Sequence, residues 1–187
     1  MLSSLLERIS SMDDLNRAVE VADMAVDSTP EDHSDRAGRL GNLGNRLSMR
    51  FERTGSIDDI NRAVEVANMA VDSTPEDHLD RAGRLNTLGN CLGIRFERTE
   101  SKDDINRAVE AAHMAVDSTP EDHPDRARRL NNLGQWLSRR FERNGSMDDM
   151  NRAVCQTIRS RPTLSYELFR PTGDSGECSP SPEKPGK

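Results

Sequence analysis

Aromatic side chains are nearly missing from this chain: they make up 3% of 187 residues, and only 33% of the sequence is hydrophobic against 32% charged. That scarcity excludes a thick globular core and leaves material for a thin apolar stripe. No apolar run approaches the roughly 18 residues of a membrane span. The opening Met1–Ser11 carries Leu2, Leu5, Leu6 and Ile9, but Glu7 interrupts it and no secretory h-region is present. Cysteine is scarce too. Cys91, Cys155 and Cys178 are odd in number and form no CxxC pair, so free thiols in a reducing, cytoplasmic setting are expected rather than a disulfide framework. Net positive charge is also absent. The formal charge is -7, whereas a nucleic-acid binder needs a basic stripe along its phosphate contacts.

What the chain does have is a period. Asp13-Asp14-Leu15-Asn16-Arg17-Ala18-Val19-Glu20 returns, with small changes, at Asp58–Glu65 and Asp103–Glu110, and in part at Asp148–Val154, a spacing of 45 residues. Asp32–Leu40, Asp77–Leu85 and Asp122–Leu130 repeat at the same interval. Self-similarity on this scale marks a stacked array, in which each unit buries a thin stripe against its neighbours.

Within one repeat, Ala37, Leu40, Leu43, Leu47 and Phe51 fall at helical spacing and define a first helix. Pro124 belongs in a first turn, which places the start near Asp122, with Asp32 and Asp77 as the matching N-caps. Gly55 and Gly145 suit a left-handed end, and Glu100 departs from that pattern. Ser56 with Asp59, like Ser11/Asp14, Ser101/Asp104 and Ser146/Asp149, reads as a capping pair opening a second helix. That helix carries Ala63, Ala67 and Ala70 and stops before Ser73-Thr74-Pro75. Gly44, Gly89 and Gly134 sit mid-helix, where glycine costs about 1 kcal/mol against alanine. Their recurrence in all three copies implies close helix–helix approach. Gly38 and Gly83 give way to Arg128 in the third copy, so that position is expected at the surface.

The series Leu40-x-x-Leu43-Gly44-x-x-Leu47, its copies at Leu85–Leu92 and Leu130–Leu137, and the set Ala63, Ala67, Ala70, Pro75 resemble the tetratricopeptide repeat. The period exceeds that family's 34. The excess falls as about seven residues between Gly44 and Ala63 and about four between Pro75 and Leu85, close to two turns and one turn of helix. Extended repeats of this kind are similar to those of kinesin light chains and of fungal arrays joined to CHAT-type peptidase or NTPase modules. The resemblance implies an all-α, right-handed α-solenoid of antiparallel helix pairs, about three and a half repeats over residues 1–158, truncated at both ends. Residues 159–187, rich in Pro, Gly and Ser, are expected to form a disordered tail.

By the same resemblance, the function is that of a protein–protein interaction scaffold holding a peptide or partner helix on the concave face. The groove is expected to run through Gly41, Asn45 and Met49, then Asn86, Asn90 and Ile94, then Arg128, Asn131, Gln135 and Arg139. About 35 of 45 positions are identical between the first two full copies, and half of the differences lie in or beside this set. Such variation fits a groove facing a non-repeating partner, and it fits drift at exposed sites equally well. Trp136 is expected to cover the last layer. His33, His78 and His123 recur in Glu-Asp-His-x-Asp, but equivalent residues one layer apart are separated by roughly 8–10 Å, too far to share one ion whose ligands lie about 2 Å from it. No metal, cofactor or catalytic residue is therefore expected, and no nucleic-acid or membrane partner. The alternative reading is the regulatory arm of a larger CHAT-type peptidase or NTPase protein, or a non-functional fragment of one. Uncapped apolar ends also suggest self-association.

Overall fold

The structure, a computed structural model, describes residues 2–145 and Asn151. The expected fourth second-type helix and the tail lie outside these residues. The described residues form six α-helices and contain no strand. They are α1 (Leu2–Asp27), α2 (Arg36–Thr54), α3 (Ile57–Asp72), α4 (Arg81–Thr99), α5 (Lys102–Asp117) and α6 (Arg126–Asn144). α2 pairs with α3 and α4 with α5, and each pair packs on the next. The fold is an all-α helical repeat, as the 45-residue period requires.

The stripe read from the sequence is the core. Leu40, Leu43 and Leu47 on α2 and their copies Leu85, Leu88 and Leu92 are buried, as are Ile60, Ala63, Ala67 and Ala70 on α3 and Ile105, Ala108, Ala112 and Ala115 on α5. The mid-helix glycines explain how alanine-rich second helices come so close. A methyl built at Gly44 would lie 3.4 Å from the Ala63 carbonyl oxygen, and one at Gly89 would lie 3.2 Å from that of Ala108. Gly38 and Gly83 have ordinary room beside the Arg84 and Arg129 guanidiniums.

Each pair is closed by a left-handed residue. Gly55 (φ 71°) and Gly145 (φ 68°) take this conformation, and so does Glu100 (φ 55°), whose backbone N–H donates to the Phe96 carbonyl at 2.7 Å. The acid at the expected capping position has a different task. Arg50 reaches across the turn and forks onto Asp59 at 2.8 and 2.6 Å, and Arg95 does the same to Asp104 at identical distances. A bidentate, charge-assisted pair outcompetes the weaker return bond of a capping box. The serine half of the motif survives at Ser101, whose Oγ accepts from the Asp104 N–H at 3.3 Å; Ser56 makes no such bond.

Two boundaries differ from expectation. The first helices begin at Arg36, Arg81 and Arg126 rather than near Asp32, Asp77 and Asp122, and Asp35, Asp80 and Asp125 stand at the N-cap position without a side-chain capping bond. The intervening residues form tight turns in which the His33 N–H donates to Pro30 and the Arg36 N–H to His33. His33 Nδ1 also accepts from the Asp35 N–H at 3.1 Å, repeated at His78 and His123. The ring nitrogen thus does what a cap carboxylate was expected to do. Second, α1 runs unbroken from Leu2 to Asp27, although a helix start was expected at Ser11. Ser10 stands where Gly55 and Gly145 turn the chain, and serine lacks glycine's ease with positive φ.

Candidate functional site

Successive layers are joined by a repeated arginine clamp. The last turn of each second helix leaves carbonyls without intrahelical partners and carries negative dipole charge. Arg36 Nη1 donates to the Val26 carbonyl at 3.0 Å and also to that of Thr29, and Arg39 reaches the Thr29 hydroxyl. Arg81 and Arg84 repeat this on Val71 and Thr74, and Arg126 and Arg129 on Val116 and Thr119. Sequence reasoning missed this clamp, although Ser-Thr-Pro and the arginine pair recur together in three copies.

The first helices approach one another across layers, α2 to α4 and α4 to α6, whereas α1, α3 and α5 do not. Only side chains bridge the second helices: Arg62 to Asp23 at 2.5 Å and Arg107 to Asn68 at 3.0 Å. The array therefore closes toward its first helices, and their outward face is the inner surface.

The residues expected in the groove divide on this surface. Asn45, Met49, Arg128, Asn131, Gln135 and Arg139 are exposed, and Asn90 and Ile94 are half-buried. Gly41 and Asn86 are buried and must be removed from the set. They occupy the seam between adjacent first helices, where the Asn86 side-chain carbonyl accepts from the Asn132 amide at 3.0 Å. The same seam accounts for much of the variation between copies. Ser48 meets Cys91, Oγ to Sγ at 3.2 Å. One layer on, the corresponding pair is Gly93 and Trp136, and a methyl at Gly93 would stand 2.5 Å from the indole ring. Small meets small, and the largest side chain meets no side chain at all. Trp136 is only 3% exposed, so it is a layer-joining residue and not a surface anchor. Reciprocal size changes between layers, Ser48 with Cys91 and Gly93 with Trp136, carry the signal that could have revealed it.

Charges on the inner face are largely matched. Arg139 pairs with Glu142 at 3.1 Å and with Glu97 at 3.3 Å, and these contacts, Glu142 foremost, raise its pKa. Arg128 pairs with Asp125 at 3.2 Å. An open hollow of about 350 Å³ between the ends of α4 and α6 is walled by Phe96, Glu97, Glu100, Arg139, Glu142 and Arg143, with Arg143 and Glu100 paired at 3.1 Å. The amides contrast with these ion pairs. Asn45, Asn90 and Gln135 occupy one repeat position in three consecutive layers and make no hydrogen bond among the described residues.

Chemistry elsewhere is muted. Burial pushes the Cys91 thiol up to about 11, which leaves it protonated and unreactive at neutral pH. Among the described residues, no three His, Cys, Asp or Glu side chains gather as a metal site requires, and no helix is long and apolar enough to cross a membrane. No protein-family model matches this chain, and no curated protein is similar to it.

Proposed function

We propose that this chain is a tetratricopeptide-type interaction scaffold that holds a peptide or partner helix along its inner face, without catalysis of its own and in the cytoplasm. The carrying observation is the amide row of Asn45, Asn90 and Gln135, one per layer, whose side chains are unpaired among the described residues and exposed at Asn45 and Gln135, half-buried at Asn90. A primary amide offers both donors and acceptors, which is what a peptide backbone asks of a surface. Exposed Met49 and half-buried Ile94 lie one turn further along their helices and supply adaptable apolar contact. Because Arg128 and Arg139 are already paired, the ligand is chosen by shape and hydrogen bonding more than by charge.

The test is selection of peptides from a random displayed library on the full chain. Titration of a selected peptide against an N45A/N90A/Q135A variant follows. Three lost hydrogen bonds predict a loss of about tenfold or more in affinity with thermal unfolding unchanged. Equal affinity for both proteins overturns the assignment.

A further inference from the structure

α1 uses only one of its two apolar faces. Val19 and Val26 are buried against α2, whose Arg36 and Arg39 clamp the end of α1. The adjoining face carries Leu15, Ala18, Val21, Ala22 and Ala25, of which Ala22 packs at the edge of the core. Their counterparts on α3, Ile60, Ala63, Val66, Ala67 and Ala70, are all buried, and so are those on α5. On α1 none of the five is buried, and Val21 is 51% exposed. The backbone gives the reason. α2 lies antiparallel over α3 because the chain turns at Gly55, whereas the residues preceding this face of α1 continue the same helix. A straight helix cannot cover itself.

The repeat itself states what fits there. In both complete pairs the covering element is an amphipathic helix with glycine at its centre. Gly44 meets Ala63, Val66 and Ala67, and Gly89 meets Ala108, Ala111 and Ala112, with leucines on either side. Six residues past each glycine an arginine forks onto the acid that opens the second helix, Arg50 to Asp59 and Arg95 to Asp104. Asp14 is the matching acid on α1; it is exposed and makes no ion pair among the described residues.

We propose that this face docks a helix of first-helix chemistry donated by another polypeptide: Leu-x-x-Leu-Gly-x-x-Leu followed by arginine. It seats in the register of α2 on α3, with its glycine over Ala18, Val21 and Ala22 and its arginine on Asp14. Burial of an apolar helix face in a groove of this kind is a recurring recognition mode. The docking extends the array by the same contacts that build it.

The probe is a fluorescent synthetic peptide with the sequence of residues 36–55, titrated into the full chain and followed by anisotropy. Saturable binding is expected, weakened at least about tenfold (about 1.4 kcal/mol) by V21E, a change at an exposed site that leaves the unfolding transition in place. A peptide with leucine in place of Gly44 should not bind. A peptide carrying R50E should bind weakly to the native chain and recover on D14R, a charge swap that only the proposed register can rescue. Absence of binding overturns the proposal. So does binding indifferent to V21E, which places the peptide elsewhere. A V21E-sensitive dimer in sedimentation, formed without peptide, also overturns it by assigning the face to a second copy.

Discussion

At the scale of single residues, Glu100 stands out, because a side chain with a Cβ holds a left-handed backbone there (φ 55°) while Gly55 and Gly145 do so in the flanking layers. Such a conformation costs a non-glycine residue about 1–2 kcal/mol. The exposed pair with Arg143 returns little of that. Glu100→Gly should therefore raise stability by about 1 kcal/mol in urea unfolding, and a loss of stability would contradict the geometry. The glycines of the first helices separate by surroundings. Gly41 has nothing within 4 Å of an added methyl, so Gly41→Ala should stabilise by about 1 kcal/mol through helix propensity. Gly93→Ala drives a methyl into Trp136 and should destabilise by about 1–3 kcal/mol. Trimming Trp136 to leucine in the same chain should remove most of that penalty, a coupling that a double-mutant cycle measures. Cys91 provides a pH test. Its thiol is raised from 9.0 to about 11 in the folded state, so its contribution is complete below about pH 9 and is lost as pH climbs toward 11. The native chain should lose melting temperature across that window more steeply than Cys91→Ala. The tight role of Gly44 and Gly89 was legible in the sequence, because a costly residue kept in every copy needs a reason. Trp136 over Gly93 was only half legible. Covering was the expected task, but its partner is 43 residues distant, and one chain holds too few layers for the paired size change to stand out.

At the scale of elements, helices of modest propensity are fixed by their ends. The Arg50–Asp59 and Arg95–Asp104 forks join the last turns of one helix to the first turn of the next across a tight turn. Asp59 and Asp104 are both buried, and a lone arginine left beside an apolar turn is poorly solvated. Removing one partner of such a pair leaves an uncompensated charge. The arginines here keep about a fifth of their surface in water. Asp104→Ala should therefore cost about 2 kcal/mol, less than a fully buried pair, with the loss seen as a lower denaturant midpoint at unchanged slope. Helix identity and length were readable from periodicity. The starts were misplaced because Asp32, Asp77 and Asp122 look like caps, while the histidine turn that displaces them depends on ring geometry that no propensity encodes. The break expected at Ser11 failed for a related reason. A serine–acid pair permits a helix start but does not impose one without a turn before it.

At the scale of the whole molecule, stacking with nearest-neighbour contacts divides the sequence into two kinds of residue. Those constant between copies, Thr29, Arg36, Arg39, Arg50, Asp59 and Gly44 with their counterparts, hold layers together. Of those that vary on the first helices, some complete the seams, as Ser48 and Cys91 do, and others face outward, as Met49 and Ile94 do. The candidate groove was legible as a set of varying positions. Its division into seam and open face was not, since both vary. Gly41 and Asn86 fell on the wrong side for that reason.

The most direct check on this stacking is a cross-link between layers. Ser48 and Cys91 touch side chain to side chain at 3.2 Å although 43 residues separate them. In a chain carrying S48C with Cys155 and Cys178 replaced by serine, refolding from denaturant in an oxidising glutathione buffer, while Cys91 is still exposed, followed by peptide mapping should recover a 48–91 disulfide in nearly all molecules, within the monomer. Thiols at both positions that stay reduced under those conditions, or that link only between molecules, would contradict the layered arrangement.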